Sequence, residues 1–271
     1  MTDIKGTTGN LNTLAGEIDN RRLYAATFAA DAAETVRDLK IGAELNHLCI
    51  SRRLDADKYP LALKEMKNQV EEAGGPERVI MHGPFTELCP ASIDHLAVEL
   101  AFLRLGQAYD SCVELGVKRM VVHTGYMPLI YFKEWHLQRS LEFWKKFMAD
   151  KPADFQLYIE NVFEDEPYMM KDLIDGLDDP RISMCLDVGH ANALTADDMP
   201  VEKWIEVLGK RIHHMHLHNN DGKNDLHAPV TEGVMDMASV LAAVAAECDA
   251  PTMTIESRTC RESAEWILGK R

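Results

Sequence analysis

The sequence predicts a (β/α)8 barrel, and three observations carry that expectation. Short apolar runs of strand length alternate with longer amphipathic stretches. The runs are continuous rather than alternating, which suits parallel strands covered on both faces. Almost every run ends in His, Asp or Glu, and the C-terminal strand ends are where this architecture gathers its chemistry. The chain has 271 residues, and such a barrel commonly uses about 250 residues as one domain.

Taken in order, the first strand is placed near residues 4–8 and the first helix at 24–39. The second strand is 41–50 (IGAELNHLCI) and its helix 61–73, closed by Gly74-Gly75-Pro76. The remaining strands are 78–82 (RVIMH), 117–123 (VKRMVVH), 155–160 (FQLYIE), 182–187 (ISMCLD), 212–218 (IHHMHLH) and 252–256 (TMTIE). Between them, residues 95–115 repeat apolar side chains at three- and four-residue spacing, with Gly116 as the stop. Further helices are expected at 141–148, 168–177, 201–208, 237–248 and 263–268. Strand then helix throughout requires crossover connections and hence a parallel sheet. With no linker, repeat or low-complexity tract, residues 1–271 are read as one domain.

Composition narrows the function. Hydrophobic residues are 46% and charged residues 27%, the balance of a globular chain. No apolar run approaches the roughly 20 residues of a membrane span, and the first twenty residues lack the apolar core of a secretory signal. Six cysteines without a CxxC pair read as reduced thiols and a cytoplasmic location. Against 29 Lys+Arg stand 44 Asp+Glu, a net charge of −15. That charge, with no basic run longer than a pair, argues against nucleic acid, whose binding rests on neutralising phosphates. No membrane partner is expected, and a homo-oligomer is compatible with the sequence.

The histidines and carboxylates form the candidate site. Strands three to five end at His82, His123 and Glu160, strand six gives Asp187 and His190, strand seven His216, its loop Asp225 and His227, and strand eight Glu256. The separations 82–123, 160–187 and 187–216 are 41, 27 and 29 residues, each about one strand–helix unit, so a barrel brings these residues to one mouth. A lone histidine there is usually a hydrogen-bonded core residue, and a lone Asp is often a helix cap. Nine such groups on six successive strand ends point instead to a divalent metal. Mixed nitrogen and oxygen donors suit Zn²⁺ or Mn²⁺ best, with Mg²⁺ or Co²⁺ as alternatives. Alternation puts His214, His216 and His218 on one face, and His216 is taken as the ligand. His95 and His136 fall on helices and are read as solvent or packing residues. His47 is a candidate to line the mouth. Lys223 and Arg258 are candidates to bind an acid or phosphate there, with surface solvation as the competing reading. Trp135 and Tyr126, after strand four, are candidates to stack on a sugar face or to pack.

The segments MHGPF, VVHTGY, IEN, LDVGHAN, HLHNNDGKNDLH and IES resemble the xylose isomerase-like TIM barrels, a superfamily of sugar and sugar-phosphate isomerases and epimerases with endonuclease IV relatives. The isomerase branch implies one ion held by Glu160, Asp187, His216 and Glu256. Glu160 and Glu256 would then move a proton on a small sugar-like substrate through an enediolate, with His190 orienting it. The endonuclease IV branch implies three zinc ions on His82, His123, Glu160, Asp187, His190, His216, Asp225, His227 and Glu256, and hydrolysis of a phosphodiester. Two departures count against a DNA substrate. The strand-seven loop reads NNDGKND-Leu226-His227, where that branch carries Lys–Ser and an Arg before its His. The strand-end connections are also expected to be too short for loops that penetrate DNA. The primary expectation is therefore the isomerase or epimerase, with the zinc phosphodiesterase or a small phosphoester hydrolase as the alternative.

Overall fold

A computed structural model describes residues 18–195 and 199–270. Eight strands close in chain order: β1 (Leu23–Ala26), β2 (Gly42–Leu45), β3 (Val79–His82), β4 (Arg119–His123), β5 (Gln156–Glu160), β6 (Ile182–Asp187), β7 (Ile212–Leu217) and β8 (Thr252–Ile255). Neighbours run parallel, and β1 pairs with β8 to shut the barrel. The outer wall is α1 (Ala32–Leu39), α2 (Tyr59–Ala73), α3 (His95–Leu115), α4 (Lys133–Met148), α5 (Tyr168–Leu177), α6 (Val188–Leu194), α7 (Val201–Leu208), α8 (Met237–Glu247) and α9 (Arg261–Ile267). The sequence did not signal α6, a short helix opened directly by the end of β6.

Two elements correct the sequence reading. The first strand expected at residues 4–8 lies outside the described residues, and the strand that closes the barrel is Leu23–Ala26, overlapping the start of the helix expected at 24–39. The alanines of LYAATFAADAA favour helix by propensity. Hydrogen-bonded partners on both sides, from β2 and β8, overrule it. The second strand is also shorter than expected, ending at Leu45.

The wall packs on the outside of the sheet, where Met66, Trp144, Phe147 and Trp204 are fully buried. Inside, the two-residue period of the strands stacks side chains in layers. Tyr24, Ile80, Val121, Tyr158 and Cys185 form an apolar plug. Two residues further along their strands, Ile80, Val121, Tyr158 and Cys185 are followed by His82, His123, Glu160 and Asp187. On β2 the inward position below Glu44 is Gly42, where a Cβ would collide with the Tyr24 ring. Among the described residues no helix is long and apolar enough to cross a membrane, and the six cysteines are free.

Candidate metal centre

The strand ends deliver their donors to one place, in three groups. In the first, His82 Nε2 and His123 Nε2 stand 3.3 and 3.4 Å from Glu160 Oε2. In the second, His216 Nδ1 stands 3.2 Å from Glu160 Oε1, 3.7 Å from Asp187 Oδ2 and 3.3 Å from Glu256 Oε2. In the third, His190 Nε2 and His227 Nε2 lie 3.5 and 3.1 Å from Asp225 Oδ2. His218 Nε2 joins that group, 3.6 Å from Asp225 Oδ1 and 3.1 Å from Asp187 Oδ1. Glu160 thus links the first two groups, and the Asp187–His218 pair links the second to the third. All nine residues expected from the sequence are brought together.

The atoms fit divalent ions better than they fit one another. Glu160 Oε2, Asp187 Oδ2 and His216 Nδ1 are buried and accept or donate no hydrogen bond, although they have neighbours within 3.7 Å. They converge on shared points rather than on each other. Ligand bonds of about 2.0–2.2 Å place tetrahedral donors roughly 3.3–3.6 Å apart, and the donor pairs here span 3.1–3.7 Å. Among the described residues, the ion-pair neighbours of Glu160, Asp187, Asp225 and Glu256 are histidines, with no lysine or arginine. Burying Glu160, Asp187 and Glu256 without a cation costs several kcal/mol each.

The histidines are also held as ligands are held. A ligating imidazole characteristically donates its second N–H to a carbonyl or carboxylate. His82 Nδ1 donates to Gly83 O (2.9 Å), His190 Nδ1 to Asn161 O (2.9 Å) and His227 Nδ1 to Glu256 O (2.5 Å). His216 Nε2 donates to Glu44 Oε1 at 3.0 Å. In each case the free nitrogen faces its group.

Local structure explains the placement. Asp187 caps α6, with Oδ1 accepting from His190 N at 2.7 Å. The cap and the donor are one residue, its Oδ2 remaining free for the centre. The Asn161 side chain brackets the Asp187 backbone, accepting from its N and donating to its O. Gly189 is required because a Cβ there would overlap the His218 ring. The loop 218–236 is pinned by an Asn219–Ala228 bridge, by Asn219 Nδ2 donating to Val230 O and Met235 O, and by Arg258 N donating to His227 O. His227 takes a left-handed φ of 48°, so a turn and not an extended alternation sets it opposite Asp225.

Burial pushes the Glu160 and Asp187 carboxyls up, but the surrounding imidazoles outweigh it and hold both well below the usual carboxylate range. Burial lowers His227, yet Asp225 and Glu256 carry it up to about 9. Burial dominates at His123, which is shifted down. The Phe85 ring stacks on His123 at 4.1 Å, and Phe28 meets His227 edge-on at 5.8 Å. Both phenylalanines remain exposed, which gives the mouth an apolar rim.

Some sequence readings fall elsewhere. Tyr126 is buried against His136, and Trp135 is exposed beside Phe132, so neither lines the mouth. His136 is a buried packing residue and His95 is exposed. His47 faces Glu65 at 3.6 Å. Lys223 and Arg258 are exposed. The connection 218–236 is longer than the short strand-end loops the sequence reading assumed. Sequence reasoning missed Glu44, which sits mid-strand in GAEL with no donor spacing to reveal it. It also passed over His218, although alternation puts that residue on the correct face.

With this geometry in view, similarity to known proteins is informative. The family described as xylose isomerase-like TIM barrel matches residues 25–269. A probable endonuclease 4 of Mycobacterium leprae is 28% identical over 152 residues, covering 52% of this chain and 58% of that protein. The chain therefore aligns with little more than half of that relative. The TTHB071 protein of Thermus thermophilus, solved after soaking with ZnCl2, superposes with a TM-score of 0.70 at 23% identity, covering 93% of this chain and 97% of that one. A D-tagatose 3-epimerase-like protein superposes with a TM-score of 0.68 at 19% identity, covering 90% and 93%.

Proposed function

The chain belongs to the xylose isomerase-like TIM barrel family, and from that premise we propose that it is a multinuclear divalent-metal enzyme that hydrolyses a small phosphate ester at the barrel mouth. The observation that carries this reading is the division of the donors into three linked groups, with unpartnered buried atoms of Glu160, Asp187 and His216 in the first two. A single-ion proton-transfer site needs only Glu160, Asp187, His216 and Glu256. It leaves His82, His123, His190, His218, Asp225 and His227 crowded around carboxylates with no chemical task.

Zinc is the ion of choice, because nitrogen-rich sites of this size favour it over magnesium or manganese. Bound ions would polarise a phosphoryl oxygen and make water acidic enough to react near neutral pH. The chain's own residues do the rest. Glu160 fixes the spacing of the first two groups, and Asp187 that of the second and third. Glu256, the central carboxylate with most access to the mouth (6% exposed, against 1% for Glu160 and 0% for Asp187), accepts the proton of the attacking water. Phe85 and Phe28 shield the groups beneath them from solvent. A small substrate is favoured over DNA by the charge of −15. It is favoured too by the lack of lysine and arginine among the described ion-pair partners of the site.

A second reading is epimerisation of a sugar-like substrate. It is supported by Glu160 and Glu256 reaching the same His216 nitrogen from β5 and the end of β8, as a two-carboxylate proton exchange requires. Elemental analysis of protein purified without added metal or chelator separates the two. About three zinc ions per chain with cleavage of aryl phosphate mono- or diesters is the expected result. About one ion, with solvent deuterium entering ketoses and no phosphoester cleavage, would replace the hydrolase by the epimerase. Cleavage confined to an abasic-site duplex would restore the nucleic-acid substrate.

A further inference from the structure

We propose that Glu44 is the positioning residue of the central group, the carboxylate that fixes which nitrogen of His216 faces the metal. The inference rests on reading the mouth as a metal centre, and it concerns the layer beneath it. Glu44 lies on β2, fully buried, on a strand that pairs with β1 and β3 and reaches His216 across the barrel interior. Both of its oxygens are engaged. Oε1 accepts from His216 Nε2 at 3.0 Å; Oε2 accepts from His214 Nε2 at 3.1 Å and from Thr254 Oγ1 at 2.5 Å. His214 Nδ1 lies 2.7 Å from Thr252 Oγ1, whose hydroxyl also reaches His213 O at 3.3 Å.

A carboxylate can only accept, so both imidazoles place a proton on Nε2. His216 keeps its Nδ1 lone pair for the centre, where that atom has no hydrogen-bond partner and stands 3.2–3.7 Å from Glu160, Glu256 and Asp187. Glu44 also lies near His82 and Glu256 in space, and its bonds to His216, His214 and Thr254 engage both of its oxygens beneath the centre. His82, His190 and His227 are held by neutral main-chain carbonyls. Among these four rings, His216 has an anionic acceptor. That charge makes its Nδ1 the more basic donor, as outer carboxylates do for ligating histidines.

The test uses zinc-loaded, ¹⁵N-histidine-labelled protein, since zinc is diamagnetic and competes cleanly against a coloured chelator. In the wild type, His216 is expected to carry a slowly exchanging Nε2–H with zinc on Nδ1. Glu44→Gln offers one acceptor oxygen to three donors and no charge. It is expected to weaken the central zinc roughly 10–100-fold and to shift or lose the His216 Nε2–H signal, while the other zinc ions stay. Glu44→Asp, which keeps the charge, is expected to recover part of both. Zinc on His216 Nε2, or an unchanged signal and affinity in Glu44→Gln, would overturn the inference while leaving the metal enzyme standing. A wild type that binds no zinc would overturn both. If Glu44→Gln does not fold, the wild-type spectrum and Glu44→Asp still decide.

Discussion

The central and outer donor groups use the same residue types but are built differently. Glu160, Asp187, His216 and Glu256 come from the ends of β5 to β8, so hydrogen-bonded strands set their spacing, and all four are buried. Asp225 and His227 come from the loop 218–236 and are partly exposed, set by a left-handed residue, an isolated bridge and the Asn219 side chain. The barrel fixes the central group at no local cost. The outer group must be assembled by its loop, which makes it the part of the mouth best able to change with substrate. Active-site elements that adapt are drawn from the less stable segments of a fold.

The sharpest way to break this comparison is Glu160→Gln. Its two oxygens serve the first and second groups separately, so one neutral amide removes the link between them. Turnover is expected to fall on the order of 10³-fold, the scale of losing a preorganised electrostatic stabiliser, with metal content reduced by more than one ion. The thermal midpoint should fall, because the imidazoles that hold Glu160 ionised lose their partner and bound ions are lost with it. Retention of full metal content would mean the groups are not joined through Glu160.

Asp225→Ala tests the other side. It removes the one carboxylate that faces His190, His218 and His227 together. One ion per chain should be lost, with the strand-end ions kept and turnover down roughly 10²-fold, the lower end for such a stabiliser. Loss of every ion would show that the loop group supports the strand-end group, contrary to their separate construction.

The same contrast explains what the sequence disclosed. Strand-end donors were legible because each closes an apolar run, and the barrel turns run order into proximity. His82, His123, Glu160, Asp187 and Glu256 needed nothing more. Glu44 was not legible: it stands inside a strand, and its partners His214, His216 and Thr254 lie 170 or more residues away. His218 was ambiguous because alternation gives a face but no depth. The strand β1 was hidden by alanines whose helical preference is local, whereas its pairing with β2 and β8 is not. The first turns of α4, starting at Lys133, were missed because the apolar stripe becomes regular only from Leu141.

The smallest expected effect concerns a histidine without a hydrogen-bond partner, and it isolates what the mouth supplies to the others. His136 on α4 is buried between Tyr126 and Tyr131, and neither ring nitrogen makes a hydrogen bond. Burial alone pushes it down from 6.5 to about 4. The folded state therefore binds this proton less readily than the unfolded state. Stability from this residue is full above pH 6.5 and is lost as pH falls from there toward about 4. Between pH 7 and pH 5 the loss is about 1–2 kcal/mol. His136→Leu removes the titration, so its advantage over the wild type in chemical denaturation should widen by that amount between the two pH values. An advantage equal at pH 7 and pH 5 would mean that the buried ring finds a proton acceptor in the wall. The distinction between partnered histidines of the mouth and a bare one of the wall would then fail.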